Sequence, residues 1–314
     1  MKEQFAEDLL HGLCASAKRI PSRYFYDEKG SKLFQRIMQM PEYYLTPCET
    51  KIFQLHADEI AKRSYKPGME VIEFGVGDGT KTQYLLKAWL KLGKDWTYVP
   101  IDIEGKVLKK TKKWLAEKFT DLTIHEVQAD FFEALEAFNQ RESQAPRLIL
   151  FLGSNIGNFT YQEALAFMRR LHLMLNPGDQ VLIGVDLKKN PAIILPAYSD
   201  AAGLTAAFNL NLLERINREL GGHFNVKNFK HYASYEPESG EARSYLISQK
   251  EQEVLIERLN RSFHFKEMEN IQTEVSKKYA QEEFERLVAE TGFQTMESYF
   301  DPNFYFMDTL LERS

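Results

Sequence analysis

Residues 71–82, Val-Ile-Glu-Phe-Gly-Val-Gly-Asp-Gly-Thr-Lys-Thr, pass from an apolar run ending at Glu73-Phe74 through a turn carrying Gly75, Gly77 and Gly79 to a helix start near Lys81. A strand that delivers bare glycines to a helix N-terminus lets backbone N–H groups and a nucleotide approach closely, because no Cβ intervenes. The third glycine stands one position earlier than in the G-x-G-x-x-G dinucleotide fingerprint, and Glu73 and Asp78 flank the turn. A pyrophosphate is repelled by such neighbours. An adenosine that carries a positive centre and no phosphate is not, and S-adenosylmethionine is that molecule. Taken alone, a turn this loosely matched reads more often as close strand–helix packing.

Outward from this turn, apolar runs alternate with amphipathic stretches from about 51 to 188, which predicts a parallel sheet with helices on both faces. Strands are expected at 69–74, 97–102, 122–127, 147–152 and 180–186, and helices near 80–92, 105–118, 131–139 and 161–175. The segment LNPGDQ, 175–180, stops the last helix and turns into the next strand. Right-handed crossovers make this a doubly wound sheet with its ligand site at the strand carboxyl ends.

Polar residues fall at three of those ends. TYVPID closes on Asp102, where a carboxylate can accept both hydroxyl hydrogens of an adenosine ribose. QADFF follows the third strand, with Asp130 placed to accept from an adenine amino group and Phe131 to cover the ring. LILFLGSNIGN closes the fourth with Gly153, Ser154, Asn155, Gly157 and Asn158, where a reacting group would sit. Each can also be a helix cap, Asp130 above all. In order after Gly75, at successive strand ends, they point together to a nucleotide site.

With 314 residues, 44% hydrophobic and 27% charged, the chain is long enough for one large domain or two modest ones. A net charge of −5 gives no electrostatic case for nucleic acid or an anionic membrane. Lys106, Lys109, Lys110, Lys112 and Lys113 alternate with Leu108, Thr111 and Leu115, so these lysines read as the solvated side of a half-buried helix. The start, MKEQFAEDLLHGLCAS, has early acids and no signal-peptide core, and no run reaches the roughly 20 apolar residues of a membrane span, so a cytoplasmic protein is expected. Cys14 and Cys48 read as free thiols, and the seven histidines show no metal-ligand spacing, so no metal is expected.

Residues 1–50 read as helical and rich in aromatics, with Tyr24, Tyr26, Tyr43 and Tyr44 as amphipathic packing residues that could also line a pocket. Past Asp186 the alternation stops. A helix is expected over about 200–220, then strands in HYASYEP and ARSYLISQK about a turn at Glu238-Ser239-Gly240, then a strand over 262–269 leading into IQTEVSKKY. The helix AQEEFERLVAETG and two strands about Asp301-Pro302-Asn303 close the chain. A final antiparallel hairpin on a parallel sheet is how class I methyltransferases end. The reading is therefore α/β, a Rossmann-like doubly wound sheet with a C-terminal antiparallel hairpin, over 51–188 and 279–314. A smaller α+β substrate-binding domain takes 1–50 and 189–278.

YFYDEKGSKLFQRIMQMPEYY, EFGVGDGTKT, GSNIGN, GVDLKK, AYSDAAGLTAAFN and TEVSKKY, in this order from about residue 20 to the C-terminus, resemble the histidine Nα-methyltransferases of ergothioneine biosynthesis. The resemblance implies transfer of three methyl groups from S-adenosylmethionine to the α-amine of L-histidine, giving hercynine. It implies cofactor contacts at Gly75, Lys81, Asp102, Asp130 and Phe131, and a substrate carboxylate on Asn158 and Tyr198. Tyr26 would lie near the amine, and Tyr43, Glu274 and Ser276 would hold the imidazole. Where the family's histidine enzymes carry a methionine near the imidazole, this chain has Ser244. The small-molecule substrate needs no further partner, and a monomer is expected. Two other readings stay open: the same scaffold acting on another amino acid such as tryptophan, and a non-catalytic module that binds S-adenosylmethionine.

Overall fold

The computed structural model describes residues 2–129, 131, 133, 134 and 145–314. They form two compact units, Leu45–Lys188 with Lys278–Ser314, and Met1–Tyr44 with Lys189–Lys277.

In the first unit, apolar runs with little polar alternation make strands buried on both faces, as a parallel sheet requires. Every residue of Arg147–Phe151 and of Gln180–Asp186 is buried. Across the sheet the order is Phe293–Phe300, Phe306–Arg313, Gln180–Asp186, Arg147–Phe151, Glu70–Phe74, Thr97–Asp102 and Thr123–Ile124, with Val127–Gln128 also paired to Thr97–Asp102. Phe306–Arg313 is antiparallel to both of its neighbours, Gln180–Asp186 and Phe293–Phe300. The strands from Thr123–Ile124 to Gln180–Asp186 are parallel. The chain winds outward from Glu70–Phe74 on one side and resumes on its other side at Arg147–Phe151, so the switch point lies beside the glycine turn.

Helices cover this sheet through apolar faces. Tyr161–Met174 starts on a capping box between Thr160 and Glu163 and buries Ala164, Leu165, Phe167, Met168 and Leu171. Each such large apolar side chain contributes about 1.5–3 kcal/mol when fully buried. Gly105–Lys118 buries Leu108, Thr111 and Leu115 and leaves Lys106, Lys109, Lys110 and Lys113 exposed. The strand expected at 122–127 is two short pieces, Thr123–Ile124 and Val127–Gln128, both paired in parallel with Thr97–Asp102. Most of the helix expected near 131–139 lies outside the described residues.

The second unit holds a three-stranded antiparallel sheet, ordered Asn270–Lys277, Glu241–Ser248, Phe229–Glu236, and a separate ribbon of Gln252–Ile256 with Arg261–Phe265. Its core joins Phe5, Leu9 and Leu13 of the helix Lys2–Cys14 to Phe208, Leu212 and Ile216 of the helix Leu204–Leu220. The latter helix starts at Leu204 rather than 200, because the Asp200 carboxylate caps it, accepting from the N–H groups of Leu204 and Thr205 at 2.8 Å each. The strand expected over 262–269 ends at Phe265. There Glu269 accepts from the Lys266 N–H at 2.8 Å and closes a turn, with Met268 at φ 64°, before Asn270–Lys277 begins. Among the described residues no helix is long and apolar enough to cross a membrane.

Candidate active site

The first unit gathers polar groups at the carboxyl ends of its strands. Gly75, Gly77 and Gly79 all have positive φ, of 72°, 57° and 68°. A Cβ on Gly75 would stand 3.2 Å from Asn155 Nδ2 and 3.5 Å from the Phe131 ring, whereas nothing described lies within 4 Å of one on Gly77. The turn is thus closed behind Gly75 and open at Gly77. Asp102 hooks it to the next strand end: one carboxylate oxygen accepts from the Gly77 N–H at 3.1 Å, the other from the Glu104 N–H at 3.0 Å. Burial raises the Asp102 pKa, and those two N–H groups oppose the rise. A carboxylate offers about four lone pairs, so acceptor capacity remains beside the open glycine, as an adenosine ribose requires.

Phe131 packs edge-on against Phe74, centroids 6.0 Å apart, and Phe151, 5.3 Å apart, and stays half-buried. Asp130 lies outside the described residues. Glu73, an acid that flanks the glycine turn in the sequence, is buried. It accepts from Thr82 Oγ1 at 2.7 Å and Tyr98 OH at 2.5 Å, and burial pushes its pKa up to about 7 against those hydrogen bonds.

After Arg147–Phe151 the chain turns through Gly153 and Ser154, both at positive φ, into a short 3₁₀ turn, Asn155–Asn158. Ser154 Oγ accepts from the Asp186 N–H at 3.0 Å, and that bond over-determines the left-handed conformation of a non-glycine residue. Asp186 in turn pairs with Lys278 at 2.8 Å, both fully buried, so the GVDLKK and SKKY segments meet in one ion pair. Asn158 is exposed at the end of its turn. The Lys81 ammonium contacts Glu49, which the sequence reading did not single out.

The second unit brings together most of the remaining candidates. Tyr198 OH donates to Ser276 Oγ at 2.8 Å, both residues being buried. Ser244, fully buried, donates to Glu274 Oε2 at 3.1 Å. A bulge between Gln272 and Glu274 sets Glu274 opposite Ser244, a device that re-aims a side chain. Thr273 Oγ1 donates at 2.6 Å to Asn209 Oδ1, with the Ser244 carbonyl 3.1 Å away, which holds the bulge to the helix Leu204–Leu220. Tyr26 stacks edge-on with Phe34 at 5.5 Å and Phe208 at 5.7 Å, and Tyr43 with Phe34 at 6.0 Å. Tyr43 and Tyr44 also pack on the small cluster of Ile194, Ala197 and Tyr198. Asn158 belongs to the first unit and the other five substrate candidates to the second. Cys14 and Cys48 are free thiols, and no group of His, Cys, Asp and Glu among the described residues could hold a metal ion.

A parallel sheet that switches direction at a glycine turn and ends in an antiparallel hairpin at one edge, with an acid closing its second strand, defines a class I methyltransferase. The chain belongs to the family described as histidine-specific, S-adenosylmethionine-dependent methyltransferases, whose model matches residues 5–313. It is similar to the histidine N-alpha-methyltransferase of Mycolicibacterium smegmatis, 34% identical over 96% of this chain and 92% of that one. It is also similar to that of Mycobacterium tuberculosis, 35% identical over 87% of this chain and 83% of that one. The L-tryptophan methyltransferase of Psilocybe serbica is 28% identical over 93% of this chain and 88% of that one.

Proposed function

We propose that the protein transfers methyl groups from S-adenosylmethionine to the α-amine of L-histidine, three in succession, to give hercynine, and does so as a cytoplasmic monomer. The observation that carries this reading is the reach of the histidine-specific family across residues 5–313, which takes in both the glycine turn and the Glu274 bulge.

Bound S-adenosylmethionine supplies an electrophilic methyl on sulfur, so the protein needs no nucleophile of its own. Gly75, Asp102, Lys81 and Phe131 would hold it, with Asp130 beside them, and the open Gly77 and the Asp102 lone pairs support that fit. Asn158 and Tyr198 take the substrate carboxylate. Tyr26 orients the amine, and its ring face can hold the quaternary ammonium as it forms. Tyr43, Glu274 and Ser276 take the imidazole, Glu274 by accepting from a ring N–H in a charge-assisted bond that an indole N–H or phenol would fit less well. The Ser244 hydroxyl donates to Glu274 Oε2 and helps to fix the orientation of that carboxylate.

The test is mass spectrometry of the protein incubated with S-adenosylmethionine and each of the twenty amino acids. A gain of three methyls on histidine alone is the expected result. Methylation of tryptophan instead would overturn the Glu274 and Ser276 roles and leave the cofactor site standing. Cofactor binding with no turnover on any amino acid would favour the non-catalytic module.

A further inference from the structure

We infer that Glu49, on the helix Leu45–Ser64, is a positioning residue for the cofactor, holding Lys81 and the Gly153 peptide in the one arrangement from which Lys81 meets the carboxylate of S-adenosylmethionine. The inference rests on the reading of Lys81 as a cofactor contact.

Glu49 is 1% exposed, a placement an acid tolerates only when it is paired and hydrogen-bonded. Both of its oxygens are engaged at the strand ends that carry the cofactor candidates. Oε2 meets the Lys81 ammonium, and Oε1 accepts from the Gly153 N–H at 2.6 Å. A Cβ on Gly153 would stand 3.2 Å from Lys81 Nζ, so the ammonium lies directly against that turn. The Lys81 side chain keeps 19% of its surface, and its ammonium has three donors, of which Glu49 occupies one. The lysine is therefore anchored from behind with donors to spare.

The carboxylate has a second buried acid beside it. Asp308 pairs in register with Gly184 on the neighbouring strand, and a Cβ on Gly184 would stand 2.3 Å from Glu49 Oε1 and 3.1 Å from Asp308 Oδ1. Only glycine leaves room for both carboxyls there. Burial, and then the neighbouring Glu49 carboxylate, raise the Asp308 pKa well above the usual range. A partly open ammonium held from behind suits the carboxylate at the amino-acid end of the ligand.

The test separates that end of the ligand from the rest. S-adenosylhomocysteine and 5′-methylthioadenosine, which keeps the nucleoside and thioether and lacks the amino acid, are titrated calorimetrically into wild type, Lys81→Met, Glu49→Gln and the double variant. Both single variants should weaken S-adenosylhomocysteine about ten- to a hundredfold and leave 5′-methylthioadenosine within about twofold, and the double variant should be no weaker than Lys81→Met. If Glu49→Gln weakens both ligands alike, or neither, Glu49 is a structural acid only and the inference is overturned while Lys81 keeps its role. If Lys81→Met leaves S-adenosylhomocysteine unchanged, the reading of Lys81 fails and takes the inference with it. Should Glu49→Gln not fold, Glu49→Asp, which keeps the charge and shortens its reach, must show the same selective loss.

Discussion

Asp102→Asn is the sharpest probe of the cofactor half, because the side chain has two jobs that the substitution separates. In the wild type its two oxygens accept from the N–H groups of Gly77 and Glu104, at 3.1 and 3.0 Å. Asparagine is the same shape but presents an NH₂ where one oxygen stood, so it faces either a backbone N–H or the ribose with a donor. If the proposed pair of ribose contacts is made, losing two charge-assisted hydrogen bonds at about 1.5 kcal/mol each weakens binding by about 3 kcal/mol, or about a hundredfold. The assay is calorimetric titration of S-adenosylhomocysteine and its 2′-deoxy counterpart into both proteins, with thermal melts to show that the variant folds. Wild type should prefer the ribose form about tenfold, and Asp102→Asn should bind both forms weakly and equally. If the variant loses affinity and still prefers the ribose form as wild type does, the loss comes from unhooking the glycine turn, and the ribose assignment is wrong.

Three further outcomes are expected. Glu73 has a folded pKa of about 7 against an ordinary 4.5, so the folded state binds its proton more tightly and this group's contribution to stability falls as pH rises from about 4.5 to 7. Glu73→Gln should remove a slope of about 1.4 kcal/mol per pH unit there, read from urea melts, and an unchanged slope would refute the burial argument. His231 runs the other way: burial lowers its pKa to about 4 from 6.5, opposed by Asp200, and its Nε2 has no hydrogen-bond partner among the described residues. The folded state refuses a proton that the unfolded chain takes up, so its contribution is full above about 6.5 and is lost as pH falls toward 4, and His231→Leu should flatten that acid limb. Tyr198→Phe deletes the donor to Ser276 and should raise the KM for histidine about tenfold while leaving S-adenosylhomocysteine affinity within about twofold; a change in cofactor affinity alone would remove Tyr198 from the substrate site.

Much of the first unit is legible in the sequence because its signals are local. A strand buried on both faces is an unbroken apolar run, and Arg147–Phe151 and Gln180–Asp186 stand where such runs were read. The helix Tyr161–Met174 announces itself by Thr160 and Glu163 at capping spacing and by apolar residues three and four apart. The second unit is harder because its elements owe their shape to distant partners. Gln252–Ile256 is a strand only because Arg261–Phe265 pairs with it, and five residues of mixed character carry no such signal alone. The bulge that turns Glu274 toward Ser244 depends on Thr273 reaching Asn209, 64 positions away.

The same distinction decides which candidate site residues could be found. Gly75, Asp102 and Asn158 sit at strand ends, so reading the strands locates them. Glu49 sits on a helix whose buried face is Leu45, Cys48, Glu49, Ile52 and Phe53, a run at three- and four-residue spacing in which one member is an acid. Asp308 likewise interrupts the fully buried run Phe306-Met-Asp-Thr-Leu-Leu311. An acid in the middle of a core stripe is costly unless something neutralises it, so each announces a hidden partner without naming it. For Glu49 that partner is Lys81 and the Gly153 peptide, and Asp308 stands with it across Gly184. The carboxylate is thus bound to both halves of the strand-end loop system. A mutation there should disturb ligand geometry before it disturbs the fold, which is why the selective loss of S-adenosylhomocysteine over 5′-methylthioadenosine, rather than a drop in melting temperature, is the quantity that decides its role.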